Sequence, residues 1–312
     1  MQYQFDTFPD CDYLPAMGLT HLGQGILACM YGSEQVIVDD NPPFTGRKAF
    51  SDLTSALAIS NDFEPERTEW GRILKEQVEM FIDATDGCIP VSMPDYQSPF
   101  GTASKLLSAE DLMMGMYEEP ELLHKLLDAV TDGIIKLIEA MERWAGMDLI
   151  AHNQSNATVG GCGVIIWDDY ISVLNPDLHK EFCVPYNRRL FDRFGYGHLH
   201  TCGPYFPSYI EACLACSPRS FDFSIMRGMT KRKDDMLLML DIAKKNDILL
   251  IGNLQSSDAH VFENKWHDEG EDFLELFINS GHFMPMVFGT YEEGMKLKES
   301  ISAIDRRRSV QG

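Results

Sequence analysis

The feature that most limits the fold of this chain is an alternation: a short apolar run, then a helical pattern, repeated along most of its length. Candidate strands are Ile89–Asp95, Leu149–Gln154, Gly197–Cys202, Phe221–Ile225, Ile248–Leu254 and Phe283–Phe288, with an earlier one at Gln35–Val38. Several are continuously apolar, as strands covered on both faces must be. Between them the 3.6-residue period predicts helices. Residues 66–84 carry Trp70, Ile73, Leu74, Val78, Phe81 and Ile82 at helical spacing. Ser108-Ala109-Glu110-Asp111 has the spacing of a capping box and opens a short helix whose Met113, Met114 and Met116 read as core packing. Pro120 fits the first turn of a long helix, 120–145, with Leu123, Leu126, Leu127, Val130, Ile134, Leu137, Ile138 and Met141 on one side. Further helical patterns fit 177–194, 206–216, 230–245, 262–280 and 291–303.

Repeated strand–helix units leave an open doubly wound sheet or a (β/α)8 barrel. The Gly-x-Gly-x-x-Gly and Gly-x-x-x-x-Gly-Lys-Ser/Thr fingerprints are absent, and Gly160-Gly161-Cys162-Gly163 lacks the dinucleotide-binding spacing. Polar residues instead gather at the C-terminal ends of several strands: Asp95 and Gln97, then His152, Asn153 and Gln154, His200 and Cys202, Asp222, Asn253 and Gln255. Chemistry drawn from many strand ends is what a barrel provides. The expectation is therefore an α/β chain, a (β/α)8 TIM barrel forming one domain over 1–312. Loops 155–168 and 256–266 are expected to line its pocket.

Charge narrows the partners. Lys and Arg number 26 against 48 Asp and Glu, a net charge of −22. Such a surface repels phosphate backbones and anionic lipid, so nucleic acid and membranes are not expected partners. The basic run Arg306-Arg307-Arg308 reads as a solvated tail. No stretch has the length and apolarity of a membrane span, and the N-terminus shows no signal-peptide pattern. The eight cysteines are scattered, at 11, 29, 88, 162, 183, 202, 213 and 216. Reduced thiols and a cytoplasmic location are the expectation.

The densest chemical signal is His198-Leu199-His200-Thr201-Cys202-Gly203. In a strand, side chains alternate, so His198, His200 and Cys202 share one face. Imidazole and thiolate are ligands zinc prefers. A buried, hydrogen-bonded His beside a structural Cys is the plainer alternative for any one of the three.

Several ordered stretches resemble the uroporphyrinogen decarboxylase superfamily, and within it the cobalamin-dependent methyltransferase branch. They are Ser98-Pro99-Phe100-Gly101-Thr102-Ala103, the helix start Tyr117–Leu127, Asp168-Asp169 with Leu174–Asp177 and Phe182–Tyr186, His200-Thr201-Cys202-Gly203, and Gly252–Gln255 with Ser280-Gly281-His282. The likeness spans roughly residues 90–300, and the ordered set is more specific than any one motif. It implies a barrel with its site at the C-terminal mouth, zinc held by His200 and Cys202, and methyl transfer involving a corrinoid carried by a partner protein. It also implies a third, later ligand. The branch has Cys there, and His282 is the best match in this chain. His198, Cys213, Cys216, Asp169 and Glu181 are its rivals. Asp95, Asp169, Asn253 and Gln255 are implied as catalytic or substrate-orienting groups. Gln97 and Asn153 are implied in support, and Tyr96, Trp167 and Tyr205 as pocket walls.

The chain departs from the decarboxylases in three ways. It has no Arg-rich substrate motif near its start, which suggests a shortened N-terminal region. Gln255 stands where that type carries Asp, and Arg227 is the sole Arg near the matched strand ends. A substrate with many carboxylates needs Arg clamps. The expected function is therefore a zinc-dependent methyltransferase acting on a small methyl donor or acceptor with a corrinoid protein, with a homodimer as one assembly open to it. A metal-free decarboxylase or lyase, and a non-catalytic ligand-binding barrel, are the alternatives.

Overall fold

The computed structural model of this chain describes residues 16–18, 22–41, 43–59, 62–94, 97–152, 158–201, 214–224, 233–255, 278–288, 292, 294–295, 298–299, 301–304 and 306, with side chains described outside 151–162, 222–236, 252–255 and 285–288. It divides into two compact units: Met1–His200 with Ala212–Pro218, and Thr201–Glu211 with Arg219–Gly312.

The first unit opens with helix α1 (Ile26–Met30), an antiparallel ribbon of β1 (Gln35–Val36) and β2 (Phe44–Thr45), and α2 (Leu53–Ala56). Helices α3 (Glu69–Thr85), α4 (Pro99–Leu106), α5 (Ala109–Glu118) and α6 (Pro120–Ala145) follow. Each start has a local cause. Thr68 caps α3 by accepting from the Gly71 N–H, Ser98 caps α4 by accepting from Gly101, and Ser108 caps α5 by accepting from Asp111. Proline at the first position starts α4 and α6, where a missing N–H costs nothing. Helix α6 has the bounds the period predicts. All eight of its stripe residues are buried, and each contributes about 2 kcal/mol.

Strand β3 (Ile150–His152) pairs antiparallel with β4 (Thr158–Trp167), and β4 pairs parallel with β5 (Tyr196–Thr201). This corrects the expectation that 155–168 is a loop. The glycines at 160, 161 and 163 hide a strand whose Val164–Trp167 end is continuously apolar and buried. The expected strand at 89–95 is reduced to isolated bridges at Val91 and Ser92, and Gln97 bridges to Trp167.

The expected single helix over 177–194 is two, α7 (Pro176–Phe182) and α8 (Val184–Phe194). Pro185 lacks the N–H needed to continue the ladder. The i→i−4 bonds nevertheless run on either side of that gap, from Cys183 to His179 at 2.9 Å and from Asn187 to Cys183 at 3.0 Å. Helix α8 is also tied to α6 by exposed ion pairs, Arg189 with Asp128 and Asp132, and Arg193 with Glu139.

In the second unit β6 (Ser220–Ser224), β7 (Leu249–Gln255) and β8 (Phe283–Phe288) pair in parallel, with α9 (Lys233–Asn246) between β6 and β7. The helical expectations at 206–216 and 262–280 lie almost wholly outside the described residues. Among the described residues, no helix is long and apolar enough to cross a membrane.

Candidate functional site

The orientation of β5 decides what its histidines can do. A Cβ on Gly197 would lie 2.4 Å from the Phe191 ring of α8. The Gly197 side of β5 therefore packs on the helix layer, and glycine is required there because α8 comes so close. Leu199 shares that side, and His198 and His200 take the other. His200 is in register with Trp167 of β4, and Trp167 with Gln97. Gln97, Trp167 and His200 thus form one row across three neighbouring backbone segments, at the C-terminal ends of β4 and β5. All three are buried, His200 at 7% exposure. The Gln97 side-chain nitrogen is buried with no hydrogen-bond partner. Below this row His198 pairs in register with Ile165, and Tyr196 packs against Ile165 and Trp167.

Cys202, Asp95 and the wall residues Tyr96 and Tyr205 lie outside the described residues, as do Cys213 and Asn153. Asp169 opens a short 3-10 turn, Asp169–Ser172, directly after β4, and is half-buried. Asn253 and Gln255 stand at the C-terminal end of β7. His282 is placed differently. It directly precedes β8, and its carbonyl accepts from Leu250 at the start of β7. That is the strand end opposite Asn253 and Gln255. Its ring is occupied locally, with Nδ1 3.1 Å from the Ser280 carbonyl and Nε2 3.5 Å from Asp247.

Glu181 is exposed and faces His124 at 3.7 Å. His124 stacks on Phe182 and bonds Tyr186 at 2.7 Å, a contact between α6 and the α7–α8 pair. Cys216 is fully buried, and burial first, then the Asp168 charge, pushes its thiol far up.

A second polar group, missed in the sequence reading, sits behind the row. Asp168 follows Trp167, so its side chain turns to the helix side. Its carboxylate Oδ2 lies 2.9 Å from His179 Nε2 and accepts from Asn187 Nδ2 at 2.6 Å, while Ser98 Oγ donates to Oδ1 at 3.4 Å. Donor atoms of Asp168, His179 and Cys183 all lie within 4.8 Å of one another, and all three residues are buried. The signal was present: His179, Cys183 and Asn187 recur at i, i+4 and i+8, one line along consecutive helical turns.

The profile of the uroporphyrinogen decarboxylase (URO-D) family matches residues 26–268. The chain belongs to that family. No curated protein matches the chain. Among solved structures, a methyltransferase from Methanosarcina mazei is similar at a TM-score of 0.66 with 17% identity, covering 98% of this chain and 83% of that one. The fold is thus the TIM barrel of the URO-D family, as the strand-end chemistry implied. The described parallel strands β4–β5 and β6–β8 belong to it. Within the first unit, Trp167 and His200 stand at C-terminal strand ends, the side on which such barrels carry their sites.

Proposed function

We propose that this URO-D family chain is a zinc-containing methyltransferase that moves a methyl group between a small methylated compound or thiol and a corrinoid protein. The observation that carries the reading is the position of His200 on the face of β5 turned away from α8, in register with Trp167. The methyltransferase from Methanosarcina mazei, similar in fold, favours the same branch.

The residues fit a metal. His200 is an imidazole buried at a strand end, and Cys202 supplies a thiolate two residues on. Zinc bound there would supply Lewis acidity, lowering the pKa of a coordinated thiol or polarising a methoxy or methylamine donor. His282 is left out of this ligand set because it stands at the opposite end of its strand from Asn253 and Gln255.

Around that centre the chain's own groups have separate tasks. Gln97 holds a buried, uncommitted amide N–H toward an acceptor on the substrate. Trp167 forms a flat apolar wall that keeps water from one side of the row. Asp95, Asp169, Asn253 and Gln255 are assigned the orienting of the reacting groups. The corrinoid arrives on a partner protein docked over the same ends.

The test is metal content together with methyl transfer. The His200→Ala and Cys202→Ala variants should each lose one equivalent of zinc relative to the parent chain. They should also lose transfer between a methylated corrinoid protein and a thiol acceptor. Full transfer by either variant would refute the reading.

A further inference from the structure

We propose that Asp168, His179 and Cys183 form a divalent-metal site of the zinc type, separate from His200 and buried on the helix side of β4. It goes beyond the proposed function and does not rest on it.

The donor set is the first reason. A carboxylate oxygen, an imidazole nitrogen and a sulfur lie within 4.8 Å of one another, each from a buried residue. That O, N and S mixture suits a borderline ion such as Zn²⁺ and not Mg²⁺ or Ca²⁺, which take oxygen. The placement is specific. His179 and Cys183 are one helical turn apart on one line, and Asp168 is delivered to that line by the end of β4.

Charge is the second reason. Asp168 is 0% exposed, and among the described residues its one ion-pair partner is His179. A buried carboxylate needs a compensating positive charge. A doubly protonated His179 would supply it but would leave an Nδ1–H buried without an acceptor. A divalent ion held by the Asp168 carboxylate and the Cys183 thiolate makes the site neutral overall.

The third reason is what hydrogen bonding leaves over. His179 Nδ1 and Asn187 Oδ1 are both buried and have no hydrogen-bond partner. His179 is 1% exposed and Asn187 0%. A network built only of hydrogen bonds would satisfy both atoms. A metal site, with water bound to its ion, would give such uncommitted polar atoms a use. Binding would engage a neutral His179 imidazole and release the Cys183 thiol proton to solvent. Full burial makes this a site filled as the chain folds, structural in type.

The experiment uses the full-length chain refolded with Zn²⁺ or Co²⁺, followed by metal analysis and absorption spectroscopy. Cys183→Ser and Asp168→Asn should each bind one equivalent fewer than the parent. In the Cys202→Ser background, Co²⁺ should keep a thiolate charge-transfer band that disappears on adding Cys183→Ser. In that Cys202→Ser background chelation should lower the Tm, and adding Asp168→Asn should abolish the shift, which keeps the result readable even where Cys183→Ser folds poorly. A parent holding one equivalent that Cys183→Ser abolishes supports this site while removing the one at His200. Metal content unchanged in both Cys183→Ser and Asp168→Asn, or no metal in any form, overturns the proposal.

Discussion

The backbone N–H of Asp168 donates to the carbonyl of His200 at 2.8 Å, so the residue just after β4 fixes the height of the histidine one residue before the end of β5. The Asp168 carboxylate, turned the other way, gathers His179 and Asn187 from two successive helices and Ser98 from the cap of α4. One residue thus couples the strand ends carrying the candidate site to the helices behind them. Asp168→Ala would strip the acceptor from buried donors on three elements. The expected cost is about 3 kcal/mol of folding stability, measured by urea denaturation. A loss below 1 kcal/mol would mean the cluster is not a structural anchor.

Much of this was readable from residue order, and the gaps have physical causes. Helix α6 is marked at both ends, by Pro120 and by Gly146 in a left-handed conformation at φ 66°, and its stripe has a strict helical period. The direction of His200 followed from strand alternation, but only the Gly197–Phe191 approach says which side faces the helices. Strand β4 was obscured because glycines at its start lack the β-branched signature that its end shows. Asp168, His179, Cys183 and Asn187 escaped notice for another reason. A polar line along a helix reads as a solvent face, and only the arrival of β4 above it reveals that it is buried. The displacement of His282 follows a similar rule. A motif fixes neighbours in sequence, whereas the end of the strand at which it lies depends on where the chain enters the sheet.

Gly197→Ala tests the orientation of β5. The added methyl would meet the Phe191 ring at 2.4 Å, and neither the strand nor α8 can retreat cheaply in a packed layer. A loss of about 2 kcal/mol is expected. Phe191→Leu alone also destabilises, but the double variant should recover part of the Gly197→Ala penalty because the ring that clashes is gone. Additive effects in that double-mutant cycle would argue against direct contact.

Thiol reactivity reads burial without any assumption about function. Cys88 is exposed, while Cys29, Cys183 and Cys216 are buried. Burial pushes the Cys29 thiol up to about 11. At pH 8, roughly one Cys29 side chain in a thousand is then ionised, and the thiolate is the reactive form. Brief iodoacetamide treatment of the native chain, followed by peptide mass mapping, should modify Cys88 and spare Cys29 and Cys216 until denaturant is added. Equal labelling of Cys29 and Cys88 in native buffer would contradict the packing of α1.

Glu142 gives a pH-dependent test far from the strand ends. It sits near the C-terminus of α6. Burial pushes its carboxyl above the ordinary range, the Leu149 N–H opposes that shift, and the nearby Asp148 charge adds to it. The fold therefore favours the protonated form. Its contribution to stability is fully present below the carboxyl's unfolded pKa and is lost as pH rises through the raised folded value. Glu142→Gln removes the titration while keeping an oxygen for the Leu149 N–H. The variant should melt higher than the parent at pH 7, by about 1 °C. That advantage should shrink as pH falls and vanish in acid, where the parent's carboxyl is also neutral. Melting curves collected from pH 3 to pH 8 decide the matter: a difference that stays constant across that range, or grows toward acid, would show that the folded state does not prefer the protonated carboxyl.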